Sequence, residues 1–387
     1  DGGMLTGSAY MVKPWGRNDN YGIRDDTYRG VLNVPGDRLR AMIRRVAGHG
    51  MQFTAHTVGD GASEELLAAY GIFFLPQSFV RTGYALAQAM ELRGWRPASA
   101  IPAILDLGSG PGSCGAAVAH HLRRCGAGRV ELAAVDRSPG ALAGLERFAE
   151  EFLGSPVAVR TRVGDASRPE TWPEGDFDVI VAGFVLTEMT HLDAKSTLAW
   201  FAALRRRLRP GGLILLLEPA LRTTAERLQR LSEQVCADGG LTRVGPELDA
   251  HACPQLLAGE HWNHESRPWT APASAAYANR RLFRDLREVR FACALFTDAP
   301  VTPLPPTAVR LVSDVQIIKG LLRFIVVRAG VLQSVEVPTR GLSKHDVKAL
   351  AATFGRGDVV TFPVLSGAKV RLADRGELQV LWSPVRP

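Results

Sequence analysis

The stretch from Ala103 to Gly115, A-I-L-D-L-G-S-G-P-G-S-C-G, constrains the fold more than any other part of the chain. An apolar run (Ile104, Leu105, Leu107) ends in a cluster of glycines, and a helical pattern of small residues follows at once. That order predicts a buried parallel strand turning sharply into a helix. Only glycine lets the backbone turn so tightly and approach a ligand so closely. A single glycine-rich loop does not name its ligand, so the rest of the chain has to.

The flanking pattern repeats the unit. Apolar residues at helical spacing after Pro76 predict a helix leading into the sheet, and a second helix is expected from about Ser113 to Cys125. Arg129 to Asp136 reads as the second strand and Val157 to Asp165 as the third, each closing on an acid. Between them Ser138 is placed as a helix N-cap with Pro139 in the first turn. F-D-V-I-V-A-G-F-V-L-T-E-M gives a fourth strand, and a helix running into R-P-G-G precedes a fifth, L-I-L-L-L-E-P. Strands alternating with helices predict an α/β fold with a doubly wound, parallel, Rossmann-like sheet.

A chain of 387 residues has room for two or three domains. With 46% hydrophobic and 22% charged residues it has the composition of a soluble globular protein. No stretch has the apolar length of a membrane span, and the start does not read as a signal peptide, so no membrane partner is expected. Position 1 is not Met, which suggests a start inside a longer reading frame. Five cysteines at scattered spacings argue for a reducing compartment, with the cytoplasm as the expected location. The net charge of +7 fits either a polyanionic partner or an Arg-rich composition without one.

The strand ends discriminate between ligands. A dinucleotide loop brings a helix N-terminus to a pyrophosphate, whereas here Asp106 stands at the start of the glycine turn, where it would repel phosphate and suit an ammonium group. Asp136 and Asp165 close the next two strands. Taken singly, Asp106 reads equally as a cap of the glycine turn and Asp165 as a helix cap. Together with the L-R-P-G-G-L-I-L-L-L-E-P turn, the three acids make the domain resemble a class I S-adenosylmethionine-dependent methyltransferase. That resemblance implies S-adenosylmethionine as cofactor. It would be held by Asp106, Gly108, Ser109, Gly110 and Gly112 in the loop, by Asp136 with Arg137 at the ribose, and by Asp165, Ala166 and Phe184 around the adenine. The loop after the fourth strand lacks both the N/D-P-P-F/Y motif and a Pro-Cys pair. Thr187 and Glu188 are its polar residues, with Glu188 either a base or a lining group.

Residues 1–70 read differently. D-G-G-M-L-T-G-S-A-Y, Y-R-G-V-L-N-V-P and A-H-T-V-G-D-G-A resemble part of a metal-dependent amidohydrolase barrel, in which the histidine matching His56 is a metal ligand. The further ligands such a site needs are missing, so this segment is expected to be a fused fragment. After the fifth strand comes a basic amphipathic helix. An irregular insert at 238–272 follows, with the combination H-A-C-P … W-N-H-E-S-R-P-W. With the L-P-x-S-F approach helix and the V-L-T-E strand end, it makes the chain from about Tyr70 onward resemble the mitochondrial small-ribosomal-subunit Rsm-type methyltransferase-like family and its bacterial relatives. The resemblance implies an association with ribosomal RNA or the small ribosomal subunit and its assembly. It also implies an iron–sulfur cluster, which this chain is expected to have lost. Cys253 stays, but the first ligand position falls near Glu247 and W-C-H has become Trp262-Asn263-His264. Cys253 and His264, with His251, His261 and Cys293, remain candidates for a zinc site.

Residues 71–298 are therefore expected to form the methyltransferase domain and 306–387 a small β domain. Three strands (the first spanning Arg310 to Ile318), a helix and further strands give the latter an OB-like order, that of a common nucleic-acid binder. Arg310, Lys319, Arg323, Arg328, Arg340, Lys344 and Lys348 are its candidate phosphate contacts, or else a solvated face. The functional expectation is a methyltransferase-fold protein acting on or assembling with small-subunit ribosomal RNA. The alternatives are a non-catalytic S-adenosylmethionine-binding assembly factor and a small-molecule methyltransferase.

Overall fold

In a computed structural model the described residues are 60–258, 261–281 and 286–384, together with scattered positions between 11 and 45. Most of the amidohydrolase-like segment, His56 included, lies outside them. Helix α1 (Asp60–Ala87) runs unbroken through Pro76 and across residue 70, and continues into a π turn at Gln88–Leu92. The sequence pattern had placed the start of a helix only after Pro76.

The central sheet follows in order. Strand β1 (Ala103–Leu107) turns through the glycines into α2 (Ser113–Arg124). Then come β2 (Val130–Asp136), α3 (Pro139–Phe148), β3 (Val157–Val163), β4 (Phe177–Gly183), α4 (Ala194–Arg206) and β5 (Leu208–Glu218). After α5 (Arg222–Asp238) the sheet is completed by β6 (Thr242–Gly245), β7 (Glu265–Pro268) and β8 (Glu288–Thr297), with the short helices α6 (Pro254–Ala258) and α7 (Ala273–Arg281) between. The strand order is β3-β2-β1-β4-β5-β8-β6, with β7 also pairing β8. Strands β3 to β5 are mutually parallel and β8 runs antiparallel to β5 and β6. Strands β1 and β4 are apolar and buried almost throughout because helices cover both faces of the sheet, and each face packs its own apolar core. The order reverses between β1 and β4, and ligands of such sheets bind at the carboxyl ends of the strands beside that switch point.

The second sheet contains β9 (Ala308–Leu311), β10 (Gln316–Ile318), β11 (Leu321–Arg328), β12 (Val331–Pro338), β13 (Val359–Thr361), β14 (Lys369–Arg371) and β15 (Gln379–Trp382), with α8 (Lys344–Ala351) after β12. Its order is β14-β12-β11-β9-β13-β15, with β10 on β11. Only the β12–β14 pair is parallel. The predicted single strand from Arg310 to Ile318 is two strands. Ser313 separates them, and its hydroxyl accepts the Ile325 N–H at 2.8 Å.

The two sheets meet through buried charge. Arg310, on β9, donates to the Glu265 carboxylate of β7 and to Asn263 Oδ1 at 3.0 Å. Arg267 pairs with Glu265 at 2.9 Å and with Asp358 at 2.5 Å. Burial alone would raise the Glu265 carboxyl, but the Arg310 and Arg267 guanidiniums hold it down at about 2. Trp382 adds a hydrogen bond to Glu91, at 3.1 Å, just past α1.

Candidate functional site

The glycine turn is as the sequence predicts. Gly108, Gly110 and Gly112 all have positive φ (66°, 53° and 86°). Gly108 and Ser109 both donate their N–H to the Val135 carbonyl, at 2.8 and 3.0 Å, which stitches the turn to the end of β2. A Cβ on Gly108 would lie 2.7 Å from Val185, and one on Gly112 would enter the Leu145 side chain. At Gly110 a Cβ would meet nothing within 4 Å. The turn is therefore closed by packing at both ends and open at its middle.

Asp106 sits beneath it, 1% exposed. Its Oδ2 accepts the Gly115 N–H at 2.7 Å, tying the strand to the first turn of α2. Its Oδ1 is buried without a hydrogen-bond partner. Burial pushes this carboxyl up to about 7; the Gly115 bond opposes the shift and the nearby Asp136 reinforces it. The capping reading is met by one oxygen, and the other is left without a partner.

Asp136 braces the turn from β2. It accepts the Gly110 N–H at 2.8 Å and the Ser138 N–H at 2.8 Å, one on each oxygen. Each oxygen keeps a second lone pair for a hydroxyl donor. Asp165 lies beyond β3, where Oδ1 accepts both the N–H and the hydroxyl of Ser167 at 2.8 and 2.7 Å. Its Oδ2 faces Arg137 at 3.8 Å. Burial tends to raise this carboxyl, but the Ser167 bonds and the Arg137 and Arg168 charges outweigh it and hold the group below the usual range. Asp165 caps no helix: its Oδ1 closes a turn onto Ser167, the 3-10 turn that follows begins only at Pro169, and Arg137 stands against its other oxygen. Ala166 is buried; its carbonyl accepts from the Trp172 and Trp200 indoles at 3.2 and 2.9 Å, which fixes the floor beside Asp165.

The β4 end carries strain. Phe184 has φ +64°, a conformation that side chains adopt at a cost of about 1–3 kcal/mol and that clusters at functional sites. The Arg81 guanidinium lies 5.6 Å from its ring. Glu188 follows, raised by burial and by Asp136 against the pull of Arg137, which places it electrostatically at the same mouth. Thr187 donates its N–H to Glu218, a residue that the strand-end reasoning passed over. Glu218 closes the apolar β5 as Asp136 closes β2, so the signal was present. It is 1% exposed and pushed by burial up to about 8.

The metal candidates lie elsewhere, at the junction of the two sheets. Cys253 lines a narrow recess with Glu247, Asn263 and Arg310. His264 lines a smaller recess with Cys293, and its Nε2 is 3.1 Å from an Arg356 nitrogen. Burial, then Arg356, lowers His264 to about 4, and burial raises the Cys253 thiol to about 11. Among the described residues no three His, Cys, Asp or Glu side chains gather as metal ligands. Asn263 instead donates to Glu247 at 2.5 Å and accepts from Arg310.

Three expected phosphate contacts are committed inside the fold. Arg310 is buried against Glu265 and unavailable to a polyanion. Arg323 pairs with Glu336 at 2.7 Å, and Arg328 stacks on Phe362 at 4.7 Å. Lys319, Arg340, Lys344 and Lys348 are exposed.

Residues 105–214 match a family model described as a methyltransferase domain. No curated protein matches the chain. Among solved structures, a Listeria monocytogenes protein assigned to the class I S-adenosylmethionine-dependent methyltransferases is 11% identical, with a TM-score of 0.38, over 74% of this chain and 77% of that one. Magnesium protoporphyrin IX methyltransferase from Synechocystis is 12% identical, with a TM-score of 0.34, over 68% and 98%. An S-adenosylmethionine-dependent methyltransferase from Clostridium acetobutylicum is 12% identical, with a TM-score of 0.30, over 75% and 86%. The strand order, the glycine turn and the matched segment give this chain the fold of an S-adenosylmethionine-dependent methyltransferase, with a second sheet at its C-terminal end.

Proposed function

We propose that the chain binds S-adenosylmethionine at the carboxyl ends of β1, β2 and β4 and transfers its methyl group to an acceptor presented at the loop after β4. The observation that carries this reading is Asp106: a buried carboxylate with one unpartnered oxygen, under a glycine turn whose middle is open. A buried lone acceptor costs free energy unless a donor arrives, and a cation satisfies it best. Bound there, S-adenosylmethionine supplies a methyl group on a sulfonium that is already a good leaving group. The chain's own work is then placement. Asp106 takes the ammonium end, Asp136 takes the ribose hydroxyls on its free lone pairs, and Gly110 leaves room for close backbone approach. Glu188, whose carboxyl burial raises above the usual range, accepts the acceptor's proton. Titration calorimetry with S-adenosylmethionine tests the reading, with Asp106→Ala and Asp136→Ala as controls. Absence of binding by the wild type refutes it.

The acceptor we propose is RNA of the small ribosomal subunit. Residues 306–387 carry twelve Lys and Arg against six Asp and Glu, an excess close to the whole net charge of +7. The Thr339 N–H donates to the Gly320 carbonyl at 3.0 Å, which brings the Lys319 and Arg340 backbones together, and Lys344 and Lys348 stand one turn apart on α8. A cationic face of this kind binds RNA with affinity that falls as salt rises, and each lost phosphate contact lowers the log–log slope by about 0.7. Methyl transfer to small-subunit RNA, measured with labelled cofactor and wild-type chain, is the direct test. Salt-independent RNA binding, with no change of slope in Lys344→Ala or Lys348→Ala, counts against the RNA assignment.

A further inference from the structure

The loop after β4 is held from two sides by charged groups that do not belong to the glycine turn. Glu218, the last residue of β5, accepts the Leu186 N–H at 2.8 Å and the Thr187 N–H at 3.1 Å, one on each oxygen. Arg227, on α5, donates to the carbonyls of Leu186, Met189 and Leu192 at 2.6, 2.9 and 3.2 Å, and to the Thr197 hydroxyl at 3.3 Å. Leu186 is thereby gripped at both its backbone polar groups, by a carboxyl from the strand and a guanidinium from the helix that follows it. Only Pro219 to Leu221 separate the two elements, so the grip comes from one corner of the fold. On the opposite side Val185 packs against the glycine turn and Phe184 is held at positive φ. Hydrogen bonds to ionised partners are about twice as strong as neutral ones, and a strained residue persists only where its surroundings over-determine it.

We propose that Glu218 and Arg227 are positioning residues that lock the loop over residues 184–192 as a wall of the cofactor site and so fix where Thr187 and Glu188 stand. The binding consequence rests on the cofactor reading above; the locking itself does not. An ionised carboxylate accepts the two N–H groups on its two oxygens most strongly, because protonation turns one oxygen into a hydroxyl, a donor and a weaker acceptor, and removes the charge. The charged groups facing Glu218 are Arg227 from α5, which favours the ion, and Glu188 from the loop, which opposes it. With burial pushing the group up to about 8, the lock tightens as pH rises through that value.

Amide hydrogen exchange on the full chain tests this, from pH 6.5 to 9 after correction for intrinsic rates. Wild type is compared with Glu218→Gln and Arg227→Lys, with S-adenosylhomocysteine affinity measured alongside by calorimetry. The peptide spanning 184–192 is expected to exchange about tenfold faster in either variant, with 103–118 unchanged, and S-adenosylhomocysteine affinity to fall about tenfold. Wild-type loop protection should rise across pH 8, and Glu218→Gln should abolish that rise. Unchanged exchange at 184–192 in the variants overturns the lock. Faster exchange with unaltered affinity overturns its connection to the site. Failure of the wild type to bind S-adenosylhomocysteine refutes the cofactor reading instead, and the exchange data still decide the lock. Arg227→Lys, at a half-buried position and with its charge kept, serves if Glu218→Gln does not fold.

Discussion

Replacing Asp106 with Asn should make the protein more stable at pH 8 and worse at binding its cofactor. The carboxyl is moved from 3.8 to about 7 in the fold. Between those values the folded state holds a proton that the unfolded state has released, so stability falls as pH rises from about 4 through 7. Fully ionised, the group costs about 4 kcal/mol. Asn keeps an acceptor for the Gly115 N–H and removes the charge. Its amide nitrogen, in place of the unpartnered Oδ1, returns about 1–3 kcal/mol as an unsatisfied buried donor. The net expectation is a gain of about 1–3 kcal/mol at pH 8, and none at pH 5, where Asp106 is already protonated. Binding moves the other way. Loss of the charge-assisted bond to the ammonium removes about 1.5–3 kcal/mol, or roughly 10- to 100-fold in affinity. Urea unfolding at pH 5 and pH 8, followed by tryptophan fluorescence, reads the first effect, and calorimetry with S-adenosylmethionine reads the second. Glu218 titrates with the same sign between 4.5 and about 8, so both proteins lose stability with pH and only their difference isolates Asp106. A variant less stable than wild type at pH 8, or one that binds the cofactor as tightly, refutes the reasoning.

Two glycine substitutions should separate folding from binding. Gly112→Ala drives a methyl into Leu145 at φ +86° and should cost about 3 kcal/mol in chemical denaturation, whereas Gly110→Ala should cost only about 1 kcal/mol yet obstruct the cofactor in calorimetry. Arg310→Ala strips one of two guanidiniums from buried Glu265 and should destabilise the protein by about 3 kcal/mol at pH 7. Because Glu265 sits near 2 in the fold and 4.5 outside it, this network contributes fully above pH 4.5 and fades as pH falls towards 2, so acid unfolding of Arg310→Ala should be shallower across that window.

Much of the site was legible because its logic is local. An apolar run that holds an acid and opens into glycines forces a strand, a tight turn and a helix, and the same reasoning located Asp136 at the end of β2, while Asp165, expected to close β3, stands two residues past it. Phe184 could be placed at the end of β4 but not at positive φ, since nothing in its neighbours demands it. Glu218 was passed over although it closes β5 in the same manner, because its partners are backbone N–H groups about thirty residues earlier in the chain. Arg227 gave no signal at all: on an amphipathic basic helix one arginine looks like another until three carbonyls converge on it. Arg310 was offered as a phosphate contact or else part of a solvated face, yet it faces a carboxylate on β7, 45 positions away.

By itself, the sequence determined the order of strands and helices from β1 to β5, the glycine turn and the placement of Asp106 beneath it, because hydrophobic period and backbone freedom act over a few residues. Tertiary structure alone decided which oxygen of Asp106 is left without a partner, which charges are spent in holding the two sheets together, and which remain on the surface. It also decided that the loop after β4 is gripped by Glu218 and Arg227. Those outcomes depend on burial and on charges meeting across long loops, and the energy of a charge is set by what surrounds it in space.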